Sequence, residues 1–248
     1  MIVYKNFEQE SCGLTEEEWN EIFAGNADLI NDFQPNRVYE SFFTFGIDDD
    51  IRGKVWCHLL HAEELRAGYG GSEVYKIFQS MTNPCLEKAM SRDKIADRSE
   101  LHHKVSDEVS SSTISYNADK IKITNIIKAY ATLDPDVGYS PGYNYTVALL
   151  LRFIEDEELA FWCFVGLMKL LDWRKFFILE NPFFEILPGV VEKMLKESAP
   201  HIYKAIYDDS PCCVTGLCNL FAAEFLMSIG AKLLPIEESK LFFDYLLL

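Results

Sequence analysis

The sequence predicts an all-α fold, and three observations support that prediction. Apolar residues recur every three or four positions through most of the chain, which is the spacing of one helix face. No segment shows the strict alternation of apolar and polar residues that marks a half-buried strand. Hydrophobic residues make up 49% of the 248 positions, so the chain can bury a sizeable core.

Four apolar stripes at helical spacing predict helices in the N-terminal half of the chain. They run from Trp19 to Phe23, from Ile51 to Leu60, from Val74 to Met81 and from Ile123 to Tyr130. The aspartates at 48–50 precede the second stripe, where a carboxylate can cap the free N–H groups of a first helical turn. The polar, serine-rich stretch 83–118 predicts a long loop.

The C-terminal half contains a stretch that is apolar on every helical face. This stretch, Leu159 to Leu171, is expected to form a helix at the centre of the fold. Three prolines, at 182, 188 and 200, are expected to break the region that follows, with one helix, 190–197, between the last two. Two further helices are predicted at 217–229 and 237–247.

Composition and charge exclude several classes of function. A net charge of −16 disfavours binding to nucleic acid or to an anionic membrane, because both need clustered lysine and arginine. Seven cysteines without a C-x-x-C pair are typical of a reducing compartment. The chain has no H-E-x-x-H or phosphate-binding glycine loop, no signal peptide, and no apolar run suited to span a bilayer. We therefore expect a soluble cytoplasmic protein without metal, cofactor or membrane insertion.

The segment 134–144 joins two predicted helices. Asp134-Pro135 indicates a turn, since the residue before a proline is driven out of the α region. Gly138 can take positive φ at little cost. Ser140-Pro141 predicts the start of the next helix, with the serine as cap and the proline at the first helical position.

Four motifs in this order resemble those of the TBC domain of Rab GTPase-activating proteins. The first is Gly46-Ile47 with Ile51-Arg52-Gly53-Lys54-Val55-Trp56 and Leu59-Leu60. The second is Ile126-Ile127-Lys128-Ala129-Tyr130-Ala131, Asp134-Pro135-Asp136-Val137-Gly138-Tyr139, Gly142 and Asn144. The last two are Glu158, Ala160-Phe161-Trp162, and Phe243-Asp244 with Leu246-Leu247. Together they cover roughly residues 41–248 and imply a two-lobed helical domain.

The resemblance implies a chemistry that this chain has lost in part. A TBC domain supplies an arginine, which neutralises charge on the transferring phosphoryl group, and a glutamine, which orients the attacking water. The glutamine position holds Pro141. The family's I-x-x-D-x-x-R string does not occur between 83 and 139, and three residues could stand for its arginine: Ser110, Lys104 and Arg98. We favour loss of the arginine, with Arg98 as the main alternative.

Five positions are candidate contacts for the GTPase under this resemblance. They are Arg52, Tyr139, Gly142, Tyr143 and Asn144. The alternative for Arg52 is a structural pairing, in which Trp56 lies in the core and Arg52 binds a neighbouring carboxylate or carbonyl. The alternative for the joint residues is core packing.

These inferences place the TBC-like domain at 41–248, after an N-terminal helical extension at 1–40. The family continues for several helices beyond the last motif, so we expect either a fragment or a reduced C-terminal lobe. The predicted function is to bind or regulate a GTP-bound Rab in membrane trafficking, recruited to endomembranes through that Rab, with activating chemistry weak or lost. The alternatives are an active activator that uses Arg98 or Lys104, and a scaffold without GTPase contact.

Overall fold

The computed structural model describes residues 13–81, 120–140, 142–178, 183–209 and 223–248, and no strand occurs in these ranges. The helices are α1 (Glu16–Phe23), α2 (Pro35–Phe43), α3 (Asp49–Leu59), α4 (Ala62–Gly68), α5 (Glu73–Ser80), α6 (Lys120–Leu133), α7 (Tyr143–Phe153), α8 (Glu157–Leu170), a 3-10 helix (Trp173–Phe176), α9 (Phe183–Ser198), α10 (Pro200–Asp209) and α11 (Ile236–Leu247). Residues 223–228 are helical as well. The all-α prediction is confirmed.

Side-chain caps explain where three helices begin. At α1 the Thr15 hydroxyl accepts from the Glu18 N–H at 3.3 Å, while the Glu18 carboxylate accepts from the Thr15 N–H at 2.8 Å. Asp48 accepts from an N–H of the first turn of α3 at 3.1 Å, as the sequence predicts. Asp156 caps α8 in the same way at 2.8 Å.

The core surrounds α8, whose residues from Ala160 to Met168 are all buried. This helix packs against α3, α4, α6 and α7, so it lies at the centre of the main apolar cluster as predicted. Burial of each large apolar side chain here contributes about 1.5–3 kcal/mol. The helix that is apolar on every face is therefore the one that other helices cover on every side.

A carboxylate at the start of α8 joins it to two other helices. Glu157 accepts hydrogen bonds from Tyr75 at 2.7 Å, Gln79 at 2.8 Å and Asn125 at 3.1 Å. Tyr75 is buried, whereas Ile77 of the predicted α5 stripe is 52% exposed. The stripe prediction for α5 was therefore wrong about which residue faces the core, because a tyrosine can be buried once its hydroxyl has an acceptor.

The N-terminal helices α1 and α2 pack onto α3 through a second apolar cluster. Its buried members are Trp19, Ile22, Leu29, Val38, Phe42, Ile47 and Val55. Arg37 of α2 holds the Glu18 carboxylate with two hydrogen bonds of 2.7 Å. The described part of the predicted 1–40 extension thus lies against the rest of the fold. Residue 40 falls within α2, and the assignment of 41–248 as a domain stays a prediction.

Two predicted helix boundaries in the second half were wrong. Pro188 lies inside α9 instead of breaking the chain, so that helix forms with one intrahelical hydrogen bond fewer. The helix α7 begins at Tyr143 and not at Pro141, because Gly142 has a φ of +108°, which no right-handed helix contains. The predicted loop at 83–118 and the first residues of the predicted 217–229 helix lie outside the described ranges.

Candidate functional site

The joint between α6 and α7 is a turn held by backbone hydrogen bonds. The Asp134 N–H donates to the Tyr130 carbonyl at 2.8 Å, and the Gly138 N–H donates to the Asp134 carbonyl at 2.8 Å. Gly138 has a φ of +63°, in the left-handed region that the sequence predicts for it. These features fix the path of the chain as it leaves α6.

The N-terminal end of α7 lies against the backbone of residues 226–228. A side chain on Gly142 would place its Cβ 2.5 Å from the Met227 carbonyl oxygen, closer than any real contact. Thr146 donates its hydroxyl to the Ser228 carbonyl at 3.0 Å. Trp173 donates its indole N–H to another carbonyl of the same segment at 2.8 Å. Close backbone approach and positive φ both require glycine at position 142.

The structure brings four of the predicted contact residues together at this joint. Gly142, Tyr143 and Asn144 are buried, and Tyr139 is half-buried with its ring edge-on to Tyr143 at 6.3 Å. The Tyr143 ring packs among aromatic residues, with Phe177 at 4.7 Å, and burial raises the pKa of its hydroxyl. These contacts favour core packing for Tyr143, while a contact with a GTPase stays a prediction.

Two buried polar side chains at the start of α7 have no hydrogen-bond partner within the described part of the chain. They are the Tyr143 hydroxyl and the Asn144 amide, whose oxygen and nitrogen are both unpaired. Each unpaired buried group costs about 1–3 kcal/mol. Such groups are uncommon in folded proteins, so the start of α7 is polar in a way that packing alone does not explain.

Arg174 holds the joint from the 3-10 helix that follows α8. Its guanidinium donates to the Asp134 carboxylate at 2.9 Å and to Asp136 at 3.3 Å, while the Tyr130 hydroxyl donates to Asp134 at 3.1 Å. Burial opposes the charged Asp134, but the bonds from Arg174 and Tyr130 outweigh it, so the pKa of Asp134 lies below its ordinary value. Sequence reasoning missed Arg174, because no local motif indicates that a residue 40 positions away binds this turn.

Arg52 lies in a different cluster, at the other end of α7. Its guanidinium is 5.2 Å from the Phe153 ring centroid, and α7 places that ring roughly 15 Å along the helix from the joint. Arg52 donates to the Ile47 carbonyl at 2.5 Å and to the Asp244 carboxylate at 3.2 Å, and it pairs with Asp49.

The same carboxylate binds the tryptophan of the opening motif. Trp56 donates its indole N–H to Asp244 at 2.7 Å, and its ring is buried against Phe243 at 4.6 Å. The side chains of Arg52 and Asp244 are only 2% and 1% exposed. This is the structural pairing that the sequence offered as the alternative for Arg52, and a GTPase contact by Arg52 stays a prediction.

The positions that the resemblance assigns as candidates for the family's chemistry lie outside the described residues, so these assignments stay predictions. They are Pro141, Arg98, Lys104 and Ser110. The structure describes the neighbours of position 141. Tyr139 and Ser140 before it are half-buried, and Gly142 after it is buried.

No group of three or more metal-binding side chains occurs in the described ranges. Of the helices in the same ranges, none combines the length and the hydropathy that a bilayer crossing needs. The described site therefore consists of a turn with two carboxylates, Asp134 and Asp136, and of the unpaired side chains of Tyr143 and Asn144 at the start of α7.

Comparison with known proteins identifies relatives across most of this chain. The family model of the Rab-GTPase-TBC domain matches residues 49–248. The GTPase-activating protein GYP5 of Saccharomyces cerevisiae is 25% identical over 229 residues, which are 91% of this chain and 22% of that protein. The human Ecotropic viral integration site 5 protein homolog is 29% identical over 199 residues, 80% of this chain and 22% of that protein.

A solved structure has the same fold. It is the crystal structure of the Chlamydomonas flagellar RabGAP TBC domain, which matches with a TM-score of 0.62 at 16% identity. The match covers 92% of this chain and 70% of that one. The chain spans about a fifth of the length of these two curated relatives. Because the family model matches well over half of its residues, this chain belongs to the Rab-GTPase-TBC domain family.

Proposed function

We propose that this domain binds the GTP-bound form of a Rab GTPase and accelerates GTP hydrolysis weakly or not at all. Membership of the family supports a Rab as the partner. The observation that carries the second half of the proposal is Pro141, which stands where the family's glutamine orients the attacking water. The proline side chain has no donor or acceptor, so it cannot orient a water molecule.

The positions of the other glutamines support the loss. The chain has three, at Gln9, Gln34 and Gln79. Gln34 precedes α2 as its N-cap, and Gln79 donates to Glu157 between α5 and α8 at 2.8 Å. Neither lies at the joint, and Gln9 precedes the described residues. No described glutamine is therefore placed to replace the missing one.

Arg174, which binds the joint, is an unsuitable substitute for the family's arginine. Such a residue must bring an uncompensated guanidinium to the phosphate, where it raises the rate by about 10³–10⁵-fold. Arg174 is instead bound by Asp134 and Asp136. Of the three sequence candidates, Lys104 would bring a point charge and Ser110 none, so Arg98 alone would retain the planar fork.

Location follows from the same partner. A net charge of −16 opposes direct adsorption onto anionic lipid, so we place the domain at endomembranes only through a membrane-bound Rab. Because the proposed partner is the GTP-bound form, binding should depend on the nucleotide state of the GTPase.

Single-turnover GTP hydrolysis by a panel of Rabs, with and without this protein, tests the chemistry. We expect less than tenfold stimulation for every Rab. Stimulation above tenfold that Arg98→Ala abolishes would reject the proposal in favour of the active alternative. Arg66→Ala is the matched control, since Arg66 is a surface residue of α4 paired only with Glu63 in the described structure.

Pull-down against the same Rabs, loaded with GTP or GDP, tests the binding. We expect retention of at least one Rab in its GTP form only. Absent retention across the panel would support a scaffold without GTPase contact, and equal retention of both forms would reject recognition of the GTP-bound state.

A restoring variant asks whether the docking surface survives. Pro141→Gln combined with Ser110→Arg is expected to give a small gain in stimulation at best, because position 110 need not coincide with the family's arginine. A gain of 10³-fold or more would show that both positions and the surface are intact.

A further inference from the structure

Two cysteines from helices that are distant in sequence meet inside this domain. Cys57 of α3 and Cys163 of α8 have their sulfur atoms 3.4 Å apart, and 106 positions separate them in the chain. Both are free thiols, and Cys163 is completely buried. A disulfide needs a sulfur separation of about 2.05 Å, so the two atoms must approach by little more than 1 Å.

The backbones of the two chain segments touch one helical turn from the cysteines. Three residues beyond each cysteine, Gly166 of α8 faces Leu60 at the end of α3. A Cβ at position 166 would lie 2.3 Å from the Leu60 carbonyl oxygen, so the two chains touch there. The thiols thus lie one helical turn from a backbone contact, which favours the short Cα separation that a disulfide requires.

One of the two thiols can be reached from outside. Cys57 is half-buried and lines a groove of about 780 Å³ between α3, the C-terminal end of α7 and the start of α8. Phe23, Lys54 and His58 line the same groove. A small oxidant can therefore reach Cys57, whereas Cys163 lies behind it.

We propose that Cys57 and Cys163 form a peroxide-sensitive dithiol that closes to a disulfide and links α3 to α8. The Cys57 thiolate attacks one oxygen of hydrogen peroxide, the O–O bond breaks, and a sulfenic acid forms on Cys57. The departing hydroxide becomes water by taking the proton that the Cys57 thiol released. The sulfur of Cys163 then attacks the Cys57 sulfenic acid, the S–O bond breaks, and the departing hydroxide takes the Cys163 proton. Two thiols lose two electrons in total, and one peroxide becomes two waters.

The geometry assigns different roles to the two sulfurs. Cys57 is the attacking thiol because the groove exposes it, and Cys163 resolves the sulfenic acid because it is in contact from the protected side. Burial raises the pKa of Cys163, so Cys163 is the less reactive of the two thiols toward peroxide. The bond would close a loop of about a hundred residues, so it should stabilise the fold substantially.

Peroxide treatment of the full chain, followed by non-reducing peptide mapping, tests the assignment. The expected product is a peptide pair joined through Cys57 and Cys163, with an intact mass lower by two hydrogen atoms. The oxidised protein should melt roughly 5–10 °C higher than the reduced protein, and dithiothreitol should reverse the shift. A variant that keeps only these two of the seven cysteines removes competing thiols.

Two single variants separate the roles. Cys163→Ala should leave a sulfenic acid on Cys57 that dimedone traps, without the melting shift. Cys57→Ser should give neither product. The proposal is overturned if Cys57 stays reduced, if it proceeds to sulfinic acid in the native chain without forming the link, or if the linked peptides contain other cysteines. Mapping of the native chain decides among these outcomes even where a variant does not fold.

Discussion

Replacement of Asp244 by alanine is expected to destabilise this domain strongly. The carboxylate accepts from the Arg52 guanidinium at 3.2 Å and from the Trp56 indole at 2.7 Å, and all three side chains are buried. Alanine would leave a buried positive charge and a buried N–H without their shared acceptor. The perturbation therefore joins two of the costliest single events in a protein interior.

The magnitude follows from these contacts. Breaking a buried ion pair by removing one partner costs about 3–5 kcal/mol, and an orphaned N–H about 1–3 kcal/mol. Because Arg52 keeps its contacts with Asp49 and the Ile47 carbonyl, and because both losses share one site, we expect about 4 kcal/mol in total. For a chain of this size that lowers the melting temperature by roughly 8–16 °C. Asp244→Asn keeps an acceptor for Trp56 and should lose about half as much.

Removing one ion of the Arg52–Asp244 pair is expected to destabilise the fold more than replacing both ions with apolar side chains. Burial raises the pKa of Asp244, against the opposing effects of Arg52 and the Trp56 N–H, so charging this group in the interior is unfavourable. Replacing both ions, as Arg52→Met with Asp244→Leu, should therefore give a protein more stable than either single variant.

Guanidinium chloride unfolding, followed by tryptophan fluorescence and circular dichroism, measures these free energies. Asp136→Ala is the control, since its carboxylate is 83% exposed, and it should change the free energy of unfolding by less than about 0.5 kcal/mol. A loss below about 1 kcal/mol for Asp244→Ala would refute the reasoning. So would a double variant less stable than both single ones.

Three further predictions concern the same stability measurements. The hydrogen bond from Arg37 lowers the pKa of Glu18 from 4.5 to about 2, so its contribution is complete above pH 4.5 and disappears as the pH falls toward 2. Glu18→Gln should then lose about 1 kcal/mol at pH 7 and progressively less on acidification, whereas exposed Glu17→Gln should lose almost nothing at any pH. Gly53→Ala should lose about 3 kcal/mol, because the new Cβ would lie 2.1 Å from the Phe153 carbonyl oxygen, while Gly189→Ala, with nothing within 4 Å, should gain about 0.5–1 kcal/mol. Arg174→Ala should lower the free energy of unfolding by about 1–2 kcal/mol at pH 7. Because the pKa of Asp134 is lowered in the folded state, this loss should shrink as the pH falls through that pKa and the carboxylate is protonated. An unchanged loss at low pH would contradict this role.

Local pattern was sufficient for most of the helices and for one turn. The apolar stretch that became α8, the Asp48 cap of α3 and the positive φ of Gly138 all depend on residues within a few positions of one another. Local steric limits and helical period determine such features directly. The predicted start of α7 was wrong because Ser140-Pro141 has the local pattern of a helix start. The observed φ of +108° at Gly142 accompanies a close approach to the backbone of Met227, which is distant in the sequence.

The candidate site was predictable in its location and not in its contacts. The sequence marked both Arg52 and Asp244 through separate motifs, yet nothing in either indicated that they meet across 192 positions. It marked the joint at 134–144 and missed Arg174, which binds that joint from the far side of α8.

By itself the sequence determined that this chain is helical and where most of its helices lie, and its resemblance to the family predicts that Pro141 stands at the glutamine position. Tertiary structure alone decided that Tyr75 and not Ile77 faces the core, that Arg52 forms a buried ion pair with Asp244, and that Cys57 contacts Cys163. The reason is that period and capping act within one or two turns, whereas burial and pairing depend on which distant helix covers a given face.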